Sequence, residues 1–252
     1  MPTVTNPRFG IEIEIVSDDE TDYIADSLNN AGVRAYSEEY NHSTRDYWKV
    51  TTDSSCGFEV VSPPLAWGAR LEIRAVMRVL RDIGCDVNVD TGFHVHHEWP
   101  WWTHAQLGGR ELHARLERVR ALYHLLEQPV LRHLLSASRW GNRYCQTTEA
   151  MPSLAHITSD RYVDVNFTSL PRYSTIEFRQ HQGTLNYPKA LAWVELTRNL
   201  VAAASIPDAI PDRERLAAVF EKVTTTSWRY LTANVPDLDA YVASLQPVPT
   251  LA

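Results

Sequence analysis

The chain has 252 residues, a formal net charge of −7, 44% hydrophobic and 22% charged residues, which is the composition of a globular protein that buries its own core. With no basic excess to neutralise phosphates, it argues against a nucleic-acid or anionic-membrane binder. Cys56, Cys85 and Cys145 are odd in number and lack CxxC spacing, the opening MPTVTNPR lacks an apolar leader, and no run of about 18 apolar residues occurs, so a disulfide framework, a zinc ribbon and a membrane span are all disfavoured and a soluble, cytoplasmic protein is expected.

Period-2 alternation in FGIEIEIV predicts a strand over Phe9–Val16. A helix is expected over Asp19–Ala31, then strands over Val33–Ser37, Tyr47–Thr52 and Phe58–Ser62. Pro64–Ile83 reads as a helix with Leu71, Ala75, Val79 and Ile83 on one face, Pro64 in its first turn and Gly84 at its C-terminal cap. Strands come next at Asp86–Val89 and Gly92–Glu98. Glu111–Leu126 repeats Leu112, Leu116, Val119, Tyr123 and Leu126 at helical spacing, and Pro129 kinks or divides the continuing helix. Strands at Arg161–Thr168 and Ser174–His181 precede helices at Lys189–Ala204 and Pro211–Leu231. Because the strands are amphipathic, the expected fold class is α+β, a curved, mostly antiparallel sheet with helices packed on one face. The expected organisation is a catalytic domain over residues 1–205, a helical extension over 206–245 packed on the same domain, and a loose Pro-rich tail over 246–252.

Several of these strands carry charge on one side only. In FGIEIEIV, Glu12 and Glu14 share a face, roughly 7 Å apart, opposite Phe9, Ile11, Ile13 and Ile15. Glu59 opposes Phe58 and Val60; His94 and His96 oppose Phe93 and Val95; Asp164 and Asn166 oppose Val163, Val165 and Phe167; Glu177, Arg179 and His181 oppose Ile176 and Phe178. His97 falls on the packing side. Any one pair is explained by solvation, by a cross-strand ion pair or, for HxH, by hydrogen-bonded decoration or zinc. If the strands share a sheet, one surface gathers Glu12, Glu14, Glu59, His94, His96, Glu177 and Arg179, a set of hard oxygen donors with few imidazoles that suits Mg²⁺ or Mn²⁺. An arginine beside such a set fits phosphate, which it grips in a fork. Glu12 and Glu14, side by side without their cation, should repel each other and raise at least one carboxyl pKa of the pair. Asp53, in KVTTDSS, is a loop acid that caps a turn or serves the site. Trp99, Trp101 and Trp102 are expected in packing, not in a substrate cage, and Cys145 as a structural thiol.

Taken in order, FGIEIEIV, YWKVTTDSS, GFEVVSPPL, TGFHVHHEW, RYVDVNFTS and STIEFRQHQGTLNYPKALAWVELTRNLV resemble the amidoligase family, part of the glutamine synthetase-like carboxylate–amine ligases. The resemblance runs from about Phe9 to Val201. It implies an ATP-dependent ligase with ATP and Mg²⁺ (or Mn²⁺) on the polar sheet face. It implies Glu12, Glu14, Glu59, His94 and Glu177 as metal ligands, with His96 beside them, and Arg179 as a phosphate-contacting, catalytic arginine. Lys49, Asn166 and Arg143 match positions that serve the nucleotide or substrate, Arg143 by a loose local match.

The implied reaction makes an amide or isopeptide bond through an acyl phosphate and forms ADP. Its demands are positioning, charge neutralisation and a dry site. His96 or Asp53 would take the proton of the attacking amine, and a loop around Ser138–Pro152 would act as a lid. The expected partners are an amino-acid or peptide carboxylate and an amine, which a precursor peptide or an ammonia-supplying protein would provide, with neither nucleic acid nor membrane. The competing readings are a metal-dependent hydrolase using the same Glu/His cluster, a guanidine-phosphorylating kinase, and a non-catalytic nucleotide- or peptide-binding relative.

Overall fold

Phe9, Ile11, Ile13 and Ile15 alternate with Gly10, Glu12 and Glu14, and this pattern builds the first strand, β1 (Phe9–Ile15), with its apolar side no more than 2% exposed. The computed structural model of the chain describes residues 7–54, 56–99, 109–147, 160–206 and 210–246. Within them β1 is central in a seven-stranded sheet of order β2-β3-β4-β1-β5-β7-β6. The other strands are β2 (Ala35–Ser37), β3 (Trp48–Asp53), β4 (Gly57–Val61), β5 (Phe93–Glu98), β6 (Val165–Asn166) and β7 (Thr175–Phe178). β2 and β3 pair in parallel and every other pairing is antiparallel, so the chain forms the mostly antiparallel α+β sheet that its amphipathic strands call for.

The apolar side packs on helices. The helix Tyr187–Ala204, started by the Asn186 side chain accepting from Lys189 N at 3.1 Å, is buried along most of its length. It lies between β5 and the C-terminal helices Asp212–Glu221 and Thr225–Asn234, which explains why it is apolar nearly all round. Asn199 Nδ2 donates to Val219 O at 2.8 Å and Thr224 N donates to Glu195 Oε2 at 2.8 Å, tying those helices down. Trp99 is fully buried, while Trp101 and Trp102 lie outside the described residues. No helix among the described residues is long and apolar enough to cross a membrane.

Local chemistry accounts for the departures from expectation. Asp86–Val89 is not a strand: Asp86 makes one bridge to Val16, then Asn88 Oδ1 accepts from Asp90 N and Thr91 N and turns the chain. Of Arg161–Thr168 only Val165–Asn166 forms a strand of the sheet; Val163 makes a lone bridge to Gln146, and between the two the Asp164 carboxylate accepts from Val165 N at 2.8 Å. The expected face of the second helix is only partly right. The helix spans Arg70–Asp82 and buries Val79 together with Ile73, Val76, Met77 and Leu80, with Ala75 and Ile83 packed against the core, while Leu71 is 60% exposed. Gly84 does lie just past that helix in the left-handed region, with φ of 85°. Beyond Leu125 the helix widens into a π turn over Glu127–Leu131, which accommodates Pro129 and its missing N–H. Pro211–Leu231 is two helices, the second capped by Thr224, and a further helix spans Leu238–Leu245.

His181 also departs from its expected face. β7 ends at Phe178, the alternation lapses, and the ring turns into the core 5.2 Å from Trp193 and 5.7 Å from Phe93. His97 packs as expected, with Nε2 2.8 Å from Thr197 Oγ1. Burial, with Arg198 near the first and Lys189 near the second, pushes the imidazoles of His97 and His181 down to about 3. As pH falls from about 6.5 toward 3 the unfolded chain takes up protons that these folded rings refuse. Each ring therefore removes stability by up to ~1.4 kcal/mol per pH unit in that window and adds no slope above it. His181→Phe should flatten the stability profile between about pH 6 and 5 by up to this amount, read by urea denaturation. An unchanged slope contradicts a neutral, buried His181.

Candidate functional site

The antiparallel registers decide which polar side chains meet. Glu14 on β1 stands opposite Glu59 on β4, and Glu12 opposite His94 on β5. His96 on β5 stands opposite Glu177 on β7, which in turn faces Asn166 on β6. Alternation puts all of these on the side away from the core, so five adjacent strands contribute to one face.

Glu12 is the hub. Its two oxygens lie 3.0 Å from His94 Nδ1 and 3.1 Å from His96 Nε2. Glu177 Oε1 stands 3.8 Å from each imidazole and accepts from Arg179 Nη1, while Glu177 Oε2 accepts from Asn166 Nδ2 at 2.6 Å. Thr175 Oγ1 lies 3.1 Å from His96 Nδ1 and fixes that ring. Glu14 accepts from Gly92 N at 2.5 Å and lies 3.5 Å from His94 Nε2. Two groups have donor atoms within 4.8 Å of one another, Glu12–Glu59–His94 and Glu12–His96–Glu177, and Glu12 belongs to both. Carboxylate oxygens with one imidazole per group suit a hard or borderline divalent ion. The Glu59 side chain is half-buried on the wall of the site, which leaves its oxygens open to a cation.

The electrostatics divide this face in two. Burial alone would raise Glu12, but His96 and His94 outweigh it and hold its carboxyl well below the usual range. Burial is likewise overcome at Glu177, by Arg179 and His96, and at His96, which Glu177 and Glu12 raise against its own burial. Glu59 has no such compensation. Burial, then Glu12, Glu14 and Asp53, push it well above the usual carboxylate range, and Lys49 offsets only part. The raised carboxyl is therefore Glu59, raised first by burial, whereas crowding between Glu12 and Glu14 is expected to raise one of that pair, and Glu12 is lowered instead because two imidazoles face it.

A cavity of about 490 Å³ opens over this face and is lined by Glu12, Glu14, Asp53, Glu59, His94, His96, Asn166, Glu177 and Arg179. Lys49 instead lines an adjoining cavity of about 320 Å³ that shares Glu12, Glu59 and His96 with the first. Its Nζ donates to Asn41 O at 2.5 Å, and burial lowers its ammonium pKa against Glu59, Glu38 and Glu12. Arg143 lines neither cavity; it is exposed, with its guanidinium 4.6 Å from the centre of the Tyr144 ring. The arginines that do line the large cavity besides Arg179 are Arg139, Arg161 and Arg172, none of which the alternating pattern singles out. Arg139 sits on a short 3-10 turn and Arg172 on a four-residue helix, where no periodicity marks a side chain as facing the site. Of the stretch Ser138–Pro152, residues 148–152 lie outside the described residues; Arg139 and Tyr144 border the cavity. Cys145 is fully buried, its Sγ 3.3 Å from Arg139 O.

In sequence, the model of the family described as "Putative amidoligase enzyme" matches residues 5–151 and 126–201. Among solved structures, the chain is similar to one in the crystal structure of the complex between the prokaryotic ubiquitin-like protein Pup and its ligase PafA. The TM-score is 0.41 at 12% identity, over 96% of this chain and 62% of that one, so this chain spans less than two thirds of that protein's length. No curated protein matches it in sequence.

Proposed function

The chain belongs to the amidoligase family, and from that premise we propose that it joins a carboxylate to an amine at the expense of ATP, with the polar sheet face as its catalytic centre. The observation that carries this reading is the pair of donor groups sharing Glu12 at the floor of one cavity. Glu12, Glu59 and His94 would hold one divalent ion and Glu12, His96 and Glu177 another, with Glu14 alongside. Mg²⁺ or Mn²⁺ held there supplies positive charge to the phosphates of ATP.

The remaining roles follow from position. Arg179, anchored by Glu177, offers its guanidinium to the transferred phosphoryl group. Asn166 holds the second oxygen of Glu177 and keeps that carboxylate aimed. Phosphorylation of the acid substrate leaves an acyl phosphate, which the amine must reach before water does. His96, held between Glu12 and Thr175, is the proton acceptor where only the Glu12–Glu59–His94 group carries an ion, because a cation on its Nε2 with Thr175 at Nδ1 leaves the ring no free nitrogen. Asp53, at the end of β3 on the cavity wall, is the other candidate. The smaller cavity opens onto the same Glu12 and His96 and gives a second substrate room beside the reacting centre. The acid is an amino-acid or peptide carboxyl, and the amine is ammonia or an amino group on a small molecule or peptide. A precursor peptide or an ammonia-supplying protein would deliver them.

The test is ADP release by the purified chain with ATP and Mg²⁺, over a panel of acids and amines, with mass spectrometry of the products. The proposal expects ADP and an amide only when both an acid and an amine are present. Amide cleavage without ATP would instead identify a metal-dependent hydrolase.

A further inference from the structure

We infer that Arg139 is a second arginine of this site, whose guanidinium contacts the terminal phosphoryl group of the bound nucleotide; this rests on the ligase reading above. Arg139 is only 2% exposed and lies on the wall of the large cavity. Among the described residues its side chain donates only to two backbone carbonyls, Arg179 O at 2.9 Å and Gln180 O at 3.4 Å. Burying a guanidinium that answers no carboxylate is costly, and such groups are rarely found without a partner.

Its surroundings point to an anion. Around the Cβ position that a side chain at Gly92 would occupy, Arg139 Nη2 is 3.1 Å away, Glu14 Oε2 3.2 Å and His94 Nε2 2.7 Å. The guanidinium thus shares a small space with two residues of the proposed cation site, yet Glu14 gives its oxygen to Gly92 N. Arg179, whose carbonyl Arg139 grips, is paired with Glu177 through Nη1, and its Nε is buried with no hydrogen-bond partner. Two linked guanidiniums, only one of them paired with a carboxylate, therefore stand beside a carboxylate cluster that asks for cations. A phosphoryl group bridging cations and arginines satisfies both.

The turn that carries the side chain is held in place beforehand. Ser136 N donates to Gln182 Oε1 at 3.0 Å on one side of the turn Ala137–Arg139, and Cys145 Sγ lies 3.3 Å from Arg139 O on the other. Simple clipping of this turn to the chain after β7 is the rival account, and it predicts different results.

The experiment is calorimetric titration of Mg²⁺ with ADP, and of Mg²⁺ with the non-hydrolysable ATP analogue AMPPNP, into the wild type, Arg139→Met and Arg139→Lys, with thermal melts of each protein alone. The wild type should bind AMPPNP more tightly than ADP. Arg139→Met should lose about 10–100-fold in AMPPNP affinity, the worth of a pair of charge-assisted hydrogen bonds, with ADP affinity unchanged and a melting temperature no lower than wild type. Arg139→Lys keeps the charge without the fork and should fall between; it carries the test if the methionine variant does not fold. An equal loss for both nucleotides with a lower melting temperature, or no loss at all, overturns the role of Arg139 and leaves the ligase reading standing. A wild type that binds neither nucleotide overturns both.

Discussion

Glu12→Gln should abolish acid- and amine-dependent ADP release, by about 1000-fold or more, while the protein keeps its fold. Glu12 is the one carboxylate in both donor groups, so its loss removes a ligand from each. Cation charge on the phosphates is worth several kcal/mol, and each 1.4 kcal/mol is tenfold in rate, which sets the size of the effect. Stability should fall modestly near neutral pH. His94 and His96 favour the ionised Glu12, and glutamine gives up that attraction, offset in part by the loss of a negative charge that raises Glu59. Glu14→Ala is expected to be equally inactive, but it also frees Gly92 N from its acceptor and should therefore cost some stability. Activity in Glu12→Gln within tenfold of wild type would remove Glu12 from the centre of the account.

Gly92→Ala should damage the site while touching the fold lightly. The new Cβ would lie 2.7 Å from His94 Nε2, 3.1 Å from Arg139 Nη2 and 3.2 Å from Glu14 Oε2. Each is the far end of a side chain, so the clash is relieved by displacing the groups that the chemistry needs. The backbone at Gly92 is not left-handed, so alanine adds no conformational strain. A displacement approaching 1 Å costs about 100-fold in a positioned reaction, and we expect activity to fall ~10–100-fold with a stability loss of about 1 kcal/mol or less. Steady-state ADP release and urea denaturation of the same preparation separate the two. A wild-type rate, or a large loss of stability with an unchanged specific rate, contradicts this account of Gly92.

How much of the site was legible from residues alone depended on periodicity. β1, β5 and β7 each alternate over several residues, so Glu12, Glu14, His94, His96 and Glu177 could be assigned to one face before any pairing was known. Alternation does not carry register. That Glu12 meets His94, and that β5 lies between β1 and β7, depends on long-range pairing. Signals failed where side chains bonded their own backbone. Asp164 stands where one strand is interrupted, Asn88 turned another away, and the end of β7 sent His181 into the core beside Trp193. Helical phase failed at Leu71 because Ile73, Val76, Met77 and Leu80 form a competing, bulkier stripe. Arg139 had no signal at all. It sits in an irregular turn four residues before the exposed Arg143, and only burial distinguishes the two.

The central claim, that the polar sheet face is a metal-dependent nucleotide site, is tested most directly by titrating AMPPNP into the wild-type chain with and without Mg²⁺, and into Glu12→Gln. The account predicts binding that requires Mg²⁺ and is lost in the variant. Binding that ignores the metal or survives in Glu12→Gln would place the nucleotide elsewhere, and no binding under any metal would contradict the ligase reading for this chain.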